Sequence, residues 1–358
     1  MMTRTSMRPG TAAPSRPDGR LAPAYAVLAV VLALVHMRMY TILLPRAMLQ
    51  SSQVTEGLVH GEAAWRVFQS RILTPYILQG LSAITGAYHR AYDLFAVIAI
   101  ALGAWTSTAL THRLQDPRRP AMATFLLYEL SLSLLMISNR LYPWDLLAIT
   151  LFAVFQYLVL SRASNRAFAV LIGISILNSE VALFMAGWLI ADPILRHLLA
   201  PKQGGAGARL HGSRVGLGAA LLVGGMLLIE GLRSVLLVKE TLSASSVPEH
   251  AVYGRDYHVT LGQNLKELGA ALPVGLAAGH PLLVPVFLVA VLALAVQLVR
   301  VDRERMAGLS LVTVLMVASF LTFGDIYESR VLMPLIPFVA MHGWQALDPE
   351  PRPSTHRA

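Results

Sequence analysis

The sequence predicts an all-α protein, a polytopic transmembrane helical bundle of about ten membrane segments, and three observations lead to that prediction. Hydrophobic residues form 55% of the 358 residues. Charged residues form 14%, whereas a soluble domain carries about 25%. Apolar runs long enough to cross a bilayer as helices recur along the whole chain. The polar surface is therefore too small for a soluble protein of this length.

Eight apolar runs each predict one crossing of the bilayer. The first run exceeds the apolar core of a cleaved signal peptide, about 7–15 residues, and is therefore predicted to be a retained span. The sequence indicates one transmembrane domain, 21–346, between a disordered cytoplasmic N-terminus, 1–20, and a cytoplasmic tail, 347–358. The predicted spans are 21–44, 91–111, 121–138, 145–161, 216–238, 281–299, 306–323 and 331–346.

The apolar stretch 168–191 is interrupted by Asn178-Ser179-Glu180. One long helix would bury these three polar residues in lipid and would place the next basic loop on the wrong side of the membrane. Two short helices with Asn178–Glu180 at their tip avoid both problems, provided that the tip lies within protein or lines a polar cavity. The sequence therefore predicts a short helical pair here.

The charges between the spans orient the chain. The loops assigned to the inner side hold 18 of the 29 Lys and Arg residues, and the outer loops hold 11 of the 20 acidic residues. This asymmetry follows the positive-inside rule and places both termini in the cytoplasm.

The basic residues are spread over many loops and form no single face, which argues against nucleic acid as a partner. The chain has no cysteine, which excludes disulfides and thiol chemistry.

Two outer segments have the pattern of helices that lie in the membrane interface. In 62–75, Trp65, Phe68 and Ile72 fall on one helical face. Thr74 followed by Pro75 predicts the N-cap of a further short helix. The segment 265–272 is also amphipathic and follows the long outer loop 239–264.

The outer side collects polar residues at the ends of several predicted helices, and a single bundle would bring them together. Four charges, at Arg38, Glu129, Glu230 and Arg233, fall inside predicted spans, where a charge needs a partner or a polar cavity. Glu230 and Arg233 lie three residues apart on one helical face and are predicted to pair. Together the four charges predict a polar cavity open to the outer leaflet. The outer groups are Glu62 with Arg66 and Arg71; 139–145, with Arg140 and Asp145; Asn178 with Glu180; Tyr253, Arg255, Asp256 and His258; and Asp325, Glu328 and Arg330.

Several of these short segments resemble one family. They are the phrase Arg66-Val67-Phe68-Gln69-Ser70-Arg71-Ile72-Leu73-Thr74-Pro75 in a long first outer loop, Tyr142-Pro143-Trp144-Asp145, Asn178-Ser179-Glu180, and Glu328-Ser329-Arg330 before a Pro-containing last span. In this pattern the chain resembles the polytopic membrane glycosyltransferases of the GT-C type and their bacterial relatives. The resemblance covers most of the chain through short motifs.

The resemblance implies transfer of a sugar from a polyprenyl-phosphate-linked donor to an acceptor on the outer face of a bacterial cytoplasmic membrane. A first-loop carboxylate would act as base, and cations would stabilise the departing lipid phosphate. The family implies Glu62 as the base, chosen over Glu56 because it adjoins the amphipathic segment. It implies Arg66, Arg71 and Arg330 as phosphate partners, with Arg140 and His258 as further substrate contacts. Candidates for binding the acceptor or a divalent metal are Glu180, Asp145, Asp325 and Glu328.

Two other classes of function stay open. One is a transporter or lipid flippase, although the sequence has no internal repeat of the kind found in many transporters. The other is a non-catalytic membrane subunit with a related fold, because the family favours Asp in the first outer loop and this loop has none before Asp93. We predict that Glu62, Glu180 and Glu328 line a single outward-facing cavity.

Overall fold

The computed structural model is helical throughout the residues that it describes, and no strand occurs among them. This confirms the all-α fold class. The described residues are 21–62, 68, 70–114, 118–136, 141–199, 212–236, 260–266, 283–324 and 328–347.

The described part of the chain forms twelve α-helices, α1 to α12, and two 3₁₀ segments. A further short helical stretch covers residues 261–266. The 3₁₀ segments, Glu180–Ala182 and Ser329–Leu335, each lead directly into an α-helix. The α-helices are α1 (Leu21–Leu43), α2 (Pro45–Val59), α3 (Leu73–Thr85), α4 (Tyr88–Leu114), α5 (Arg118–Leu135), α6 (Pro143–Leu160), α7 (Asn165–Asn178), α8 (Leu183–Leu199), α9 (Gly212–Leu236), α10 (Leu283–Val301), α11 (Arg303–Phe323) and α12 (Ile336–Leu347).

Seven helical stretches among the described residues are long and apolar enough to cross a membrane, which indicates a multi-pass membrane protein. The predicted number of about ten segments is not confirmed, because three of the predicted segments are shorter among the described residues: the apolar part of α5 (Ala121–Leu135), α7 and α12. At about 1.5 Å per residue, a helix of 14 residues spans only part of a hydrocarbon core of about 30 Å. The seven stretches are Pro23–Leu43, Tyr88–His112, Pro143–Leu160, Glu180–Leu199, Gly212–Leu236, Val284–Val301 and Met306–Phe323.

The helices share one connected apolar core, in which α4 is central. Helix α4 packs against α1, α3, α5, α6 and α12, and a second row runs from α9 through α8 and α11 to α10. The largest buried side chains include Tyr92, Tyr128, Trp144 and Trp188. By contrast, α1 and α9 expose many large apolar side chains, as expected for helices that face lipid.

The predicted break at Asn178–Glu180 is confirmed, but only the first of the two helices is short, because Glu180–Leu199 is long enough to cross a membrane. Helix α7 ends at Asn178, Ser179 is extended, and the chain resumes with Glu180–Ala182 and α8. The rings of Phe168 on α7 and Trp188 on α8 lie 5.4 Å apart, so the two helices run side by side as a hairpin. The Ser179 hydroxyl accepts a hydrogen bond from the Val181 amide, which caps the 3₁₀ segment.

The predicted span at 331–346 is helical throughout but is not a single α-helix. The chain forms the 3₁₀ segment Ser329–Leu335 and then the 12-residue helix α12. Pro334 lies within the 3₁₀ segment and Pro337 within the first turn of α12. Proline lacks an amide donor and clashes with the preceding turn of an α-helix, so an α-helix can begin only beyond Pro334, with Pro337 tolerated in its first turn.

The first loop differs from the predicted interfacial helix. Residues 63–67 and 69 lie outside the described residues, and the described residues 68 and 70–72 precede α3 without forming a helix. The N-cap predicted at Thr74 is wrong, because α3 begins at Leu73 and Thr74 lies in its first turn. The second predicted interfacial segment, 265–272, is described only to Lys266, within the short helical piece 261–266.

Glycine allows α8 and α11 to approach closely. A Cβ atom built at Gly308 of α11 would lie 2.8 Å from the Cα atom of Asp192 in α8. The obstacle is backbone, which a small side-chain adjustment cannot move away. Small residues at such contacts let membrane helices pack backbone to backbone.

We therefore expect Gly308→Ala to destabilise the bundle by about 1–3 kcal/mol, because the added methyl group forces α8 and α11 apart. Thermal unfolding in detergent measures the effect. The control is Gly224→Ala in α9, where a Cβ atom meets nothing within 4 Å. Equal stability of the two variants would show that the close approach of α8 and α11 is unimportant.

Candidate functional site

Arg71 and Glu180 form a buried ion pair that joins the segment before α3 to the tip of the α7–α8 hairpin. The Nη2 atom of Arg71 donates to Oε1 of Glu180 at 2.9 Å, and Nε donates to Oε2 at 3.3 Å. The Arg71 side chain is 10% exposed, against 30% for Glu180. The pairing has the two-pronged geometry that guanidinium and carboxylate groups favour.

Arg233 of α9 lies beside the same carboxylate. Its Nη2 atom is 3.9 Å from Oε1 of Glu180, while Nη1 donates to Oε1 of Glu230 at 2.9 Å. Glu230 is half-exposed and Arg233 is buried. The pair expected from the three-residue spacing of Glu230 and Arg233 is thus confirmed. Two arginines from different elements therefore converge on Glu180.

Arg330 forms the centre of a second ionic group. Its Nη1 atom donates to Oδ2 of Asp145 at 3.0 Å, and Nη2 donates to Oε2 of Glu328 at 2.9 Å. Although burial by itself lowers the pKa of the Arg330 guanidinium, Asp145 and Glu328 together raise that pKa above its ordinary value. Arg330 therefore stays charged within the protein.

The start of α6 explains why Asp145 faces Arg330. Pro143 occupies the first turn of α6, where its missing amide donor costs nothing. Asp145 lies in the same turn, and its Oδ2 atom accepts from the amide of Tyr142 at 3.3 Å. The positive end of the helix dipole favours a carboxylate at this place. The local sequence Tyr-Pro-Trp-Asp therefore fixes the orientation of Asp145.

Aromatic rings connect the two ionic groups. Tyr142 and Trp144 stack with centroids 4.7 Å apart and planes inclined by 11°. The guanidinium carbon of Arg71 lies 5.2 Å from the Trp144 ring centroid, and that of Arg330 lies 4.6 Å from the Tyr142 centroid. Phe68 packs against both rings and also contacts Arg71. The order Arg71, Trp144, Tyr142, Arg330 is a stack of cations on aromatic faces, a favourable arrangement.

Asn178 holds the hairpin tip against α3 and α6. It is buried, its Oδ1 atom accepts from the hydroxyl of Thr74 at 2.5 Å, and its Nδ2 atom donates to the carbonyl of Trp144 at 2.8 Å. Thr74 therefore binds the hairpin tip instead of capping its own helix. We call the end of the bundle that carries Arg71, Asp145, Glu180 and Arg330 the ionic end.

A small cleft of about 60 Å³ opens beside Arg71. Its polar side chains are Glu62 and Arg71, and its other walls are largely apolar. The carboxylate of Glu62 lies close to Gly57 of α2, where a Cβ atom would come within 2.7 Å of Oε2. The lining residues are Leu58, Gly61, Glu62, Phe68, Arg71, Ile72, Pro75, Tyr76 and Leu236.

The structure brings together most of the predicted site residues that it describes. Arg71, Asp145, Glu180, Glu328 and Arg330 meet at the ionic end, as expected for one bundle. The single cavity expected for three glutamates is not found in this form. Glu62 lines the cleft, while Glu180 and Glu328 pair with arginines beside it. The predicted residues outside the described part of the chain are Arg66, Arg140, His258 and Asp325.

Two features of the ionic end are not evident from the sequence. Tyr142 and Trp144 have the composition of an interfacial aromatic belt, but both rings are buried between arginines. Arg233 is predicted to pair with Glu230, and only the packing of α9 reveals its approach to Glu180.

The described residues contain no group of three or more His, Asp or Glu side chains able to hold a metal ion.

Comparison of the chain with family models, curated proteins and solved structures finds no match. The helices and their charged groups define the class of protein: a multi-pass helical membrane protein with a buried ionic cluster at one end.

The two carboxylates that bind Arg330 differ in burial, and this difference predicts unequal effects of their removal. Asp145→Asn leaves a buried guanidinium without its main counter-charge and should cost about 3–5 kcal/mol. The matched control is Glu328→Gln, which removes the half-exposed partner of the same arginine and should cost at most about 1 kcal/mol. Thermal or denaturant unfolding in detergent measures both. Similar losses in the two variants would contradict the ranking by burial.

Proposed function

We propose that this protein is a membrane glycosyltransferase that transfers a sugar from a polyprenyl-phosphate-linked donor to an acceptor at the outer face of a bacterial cytoplasmic membrane. One observation carries the proposal: Arg71 pairs with Glu180 on one side and lines, together with Glu62, a cleft with apolar walls. A cation and a carboxylate beside an apolar surface suit a substrate that joins a phosphate to a lipid.

The two kinds of surface in the cleft, one charged and one apolar, suit the two parts of a lipid phosphate. The lipid phosphate binds at Arg71, and the lipid chain lies along the apolar side formed by residues such as Ile72, Tyr76 and Leu236. A volume of about 60 Å³ is far below the several hundred Å³ of a typical small-molecule site. We therefore expect the phosphate to enter the cleft and the sugar to lie at its mouth.

In the transfer step, a hydroxyl oxygen of the acceptor bonds to the anomeric carbon of the sugar as the bond from that carbon to the phosphate oxygen breaks. Glu62 accepts the hydroxyl proton as general base. The bonding electrons leave with the lipid phosphate, whose negative charge is stabilised by Arg71. Glu180 holds Arg71 in place and is itself approached by Arg233, while Arg330, paired with Asp145, lies against the aromatic stack beside Arg71. The half-exposed Glu328 is a candidate contact for the acceptor.

The orientation of the bundle belongs to the same proposal. The Arg-rich loops lie in the cytoplasm under the positive-inside rule, with both termini on that side. The ionic end and its cleft then face the outer leaflet, where a lipid-linked donor presents its sugar. A bound divalent metal is compatible with the proposal but is not needed for the step described above.

The proposal predicts that Glu62→Gln abolishes sugar transfer without loss of folding, because the amide cannot accept the proton. The purified protein is reconstituted into liposomes with a panel of polyprenyl-phosphate-linked sugars, and transfer and hydrolysis are measured. The matched control is Glu56→Gln, which removes the other carboxylate of the first loop, does not line the cleft, and should leave transfer unchanged.

The alternatives give different results in the same liposomes. Movement of the labelled lipid between leaflets without transfer would favour a transporter or flippase. Neither movement nor transfer, with the protein folded, would favour a non-catalytic membrane subunit. Full activity of Glu62→Gln would remove Glu62 from the mechanism, and loss of activity in Glu56→Gln alone would assign the base to Glu56.

A further inference from the structure

A polar seam lies between α1 and α5, separate from the cleft. The Nε2 atom of His36 is 2.9 Å from the hydroxyl oxygen of Ser133, and its Nδ1 atom is 2.9 Å from the carbonyl oxygen of Leu32. Glu129, one helical turn before Ser133, has its Oε2 atom 3.4 Å from Nδ1. The proposed glycosyl transfer uses none of these residues.

The hydrogen-bond roles in this seam allow two protonation states of His36. The Leu32 carbonyl can only accept, so Nδ1 carries a proton in both states. The Ser133 hydroxyl has two acceptors within reach, Nε2 of His36 at 2.9 Å and the carbonyl of Glu129 at 2.8 Å. If it donates to Nε2, His36 is neutral. If it donates to the Glu129 carbonyl, its oxygen is free to accept from a protonated Nε2.

The Glu129 carboxyl group favours the protonated state. Glu129 is 8% exposed, and neither of its oxygens accepts a hydrogen bond from any group that the structure describes. With a neutral His36, an ionised Glu129 would be a bare carboxylate buried among apolar side chains, which is costly. A proton bound at either group removes that charge, and a proton at Nε2 of His36 does so by placing an imidazolium beside the carboxylate.

The other titratable groups on the two helices of the seam are Tyr25, Arg38 and Tyr40 on α1 and Arg118, Arg119 and Tyr128 on α5; of these, Arg38 is exposed. Tyr128 on α5 uses its hydroxyl to donate to the carbonyl of Ile100 on α4. Helix α4 has no titratable residue between positions 94 and 111. The remaining titratable groups on the elements packed against α1 and α5 are Arg46 and Glu56 of α2, the residues at the two ends of α4, Arg300 near the end of α10, Arg330 of the 3₁₀ segment, and His342 of α12. Arg330 is engaged by Asp145 and Glu328.

The seam is accessible from the ionic end. Ser133 is exposed and lies in the last turn of α5, whose Leu135 carbonyl accepts from the hydroxyl of Ser329. Ser329 adjoins Arg330, so the end of α5 lies at the ionic end. Because His36 contacts Ser133, the seam lies about one helical turn of α5 from the ionic end.

We propose that His36, Ser133 and Glu129 form a proton-binding site within the bundle. One proton from solvent binds at Nε2 of His36, the Ser133 hydroxyl turns from Nε2 to the carbonyl of Glu129, and the Glu129 carboxylate neutralises the imidazolium. No bond between heavy atoms changes, and the site gains one unit of positive charge.

The test is nitrogen NMR of the full-length protein, labelled in its histidine rings and reconstituted in lipid nanodiscs. His36→Gln identifies the His36 signals by their loss. Between about pH 9 and pH 5, His36 should pass from a ring with one protonated nitrogen to a ring with two. Glu129→Gln should lower its proton affinity about tenfold or more, because the neighbouring negative charge is lost.

Two controls separate the charge of Glu129 from a structural role. Glu129→Asp keeps the charge and should retain most of the proton affinity of His36. Glu56→Gln removes a carboxylate from α2 and should leave the His36 titration unchanged. The wild-type titration needs no substitution, so it tests the proposal even where a variant fails to fold. A single protonation state of His36 across this range, or an unchanged titration in folded Glu129→Gln, would overturn the proposal.

Discussion

The burial of arginine side chains inside an apolar bundle is the constraint on which the ionic end of this protein depends. Arg71, Arg233 and Arg330 are each at most 10% exposed in their side chains. A buried charge is tolerated only when a counter-charge and hydrogen bonds replace the water that it has lost. Asp145 and Glu180 provide that replacement from the start of α6 and from the hairpin tip. The positions of α3, α6, the α7–α8 hairpin and α9 are thereby linked through a few charged atoms.

The aromatic stack makes this linkage continuous. Tyr142 and Trp144 lie between Arg71 and Arg330, so each guanidinium has an ionic partner at its edge and a ring at its face. Only a planar cation can satisfy both contacts at once, which explains why arginine and not lysine suits these places. Asn178 adds neutral hydrogen bonds from the hairpin tip to Thr74 and Trp144. The carboxylates at the rim, Glu230 and Glu328, are about a third to a half exposed and remain accessible to solvent or ligand.

The charged groups divide into those that hold the fold and those that remain accessible for chemistry. Asp145 and Arg330 are buried and mutually satisfied, so their first role is structural. Glu62 is exposed and lines the cleft beside Arg71, which is the one arginine among the described residues that lines it. A base and a phosphate partner need such access, since a fully enclosed ion pair cannot exchange its partner for a substrate. The His36–Glu129 pair represents a third case, a buried carboxylate whose counter-charge, in the proposed proton-binding site, depends on the binding of a proton.

The sequence by itself determined the helical class, the apolar spans and the break at Asn178–Glu180, because these follow from local hydropathy and from the cost of polar groups in lipid. It also determined which end of each helix carries the polar residues. It did not predict α2, whose buried face consists of small residues such as Ala47, Ser51 and Gly57 and so lacks an apolar stripe. Only the tertiary structure decided that Arg330 pairs with Asp145, that Arg233 approaches Glu180 and that His36 meets Glu129. Pairs separated by about a hundred residues or more, such as Arg71 with Glu180, depend on which helices become neighbours, and local sequence patterns carry no information about that choice.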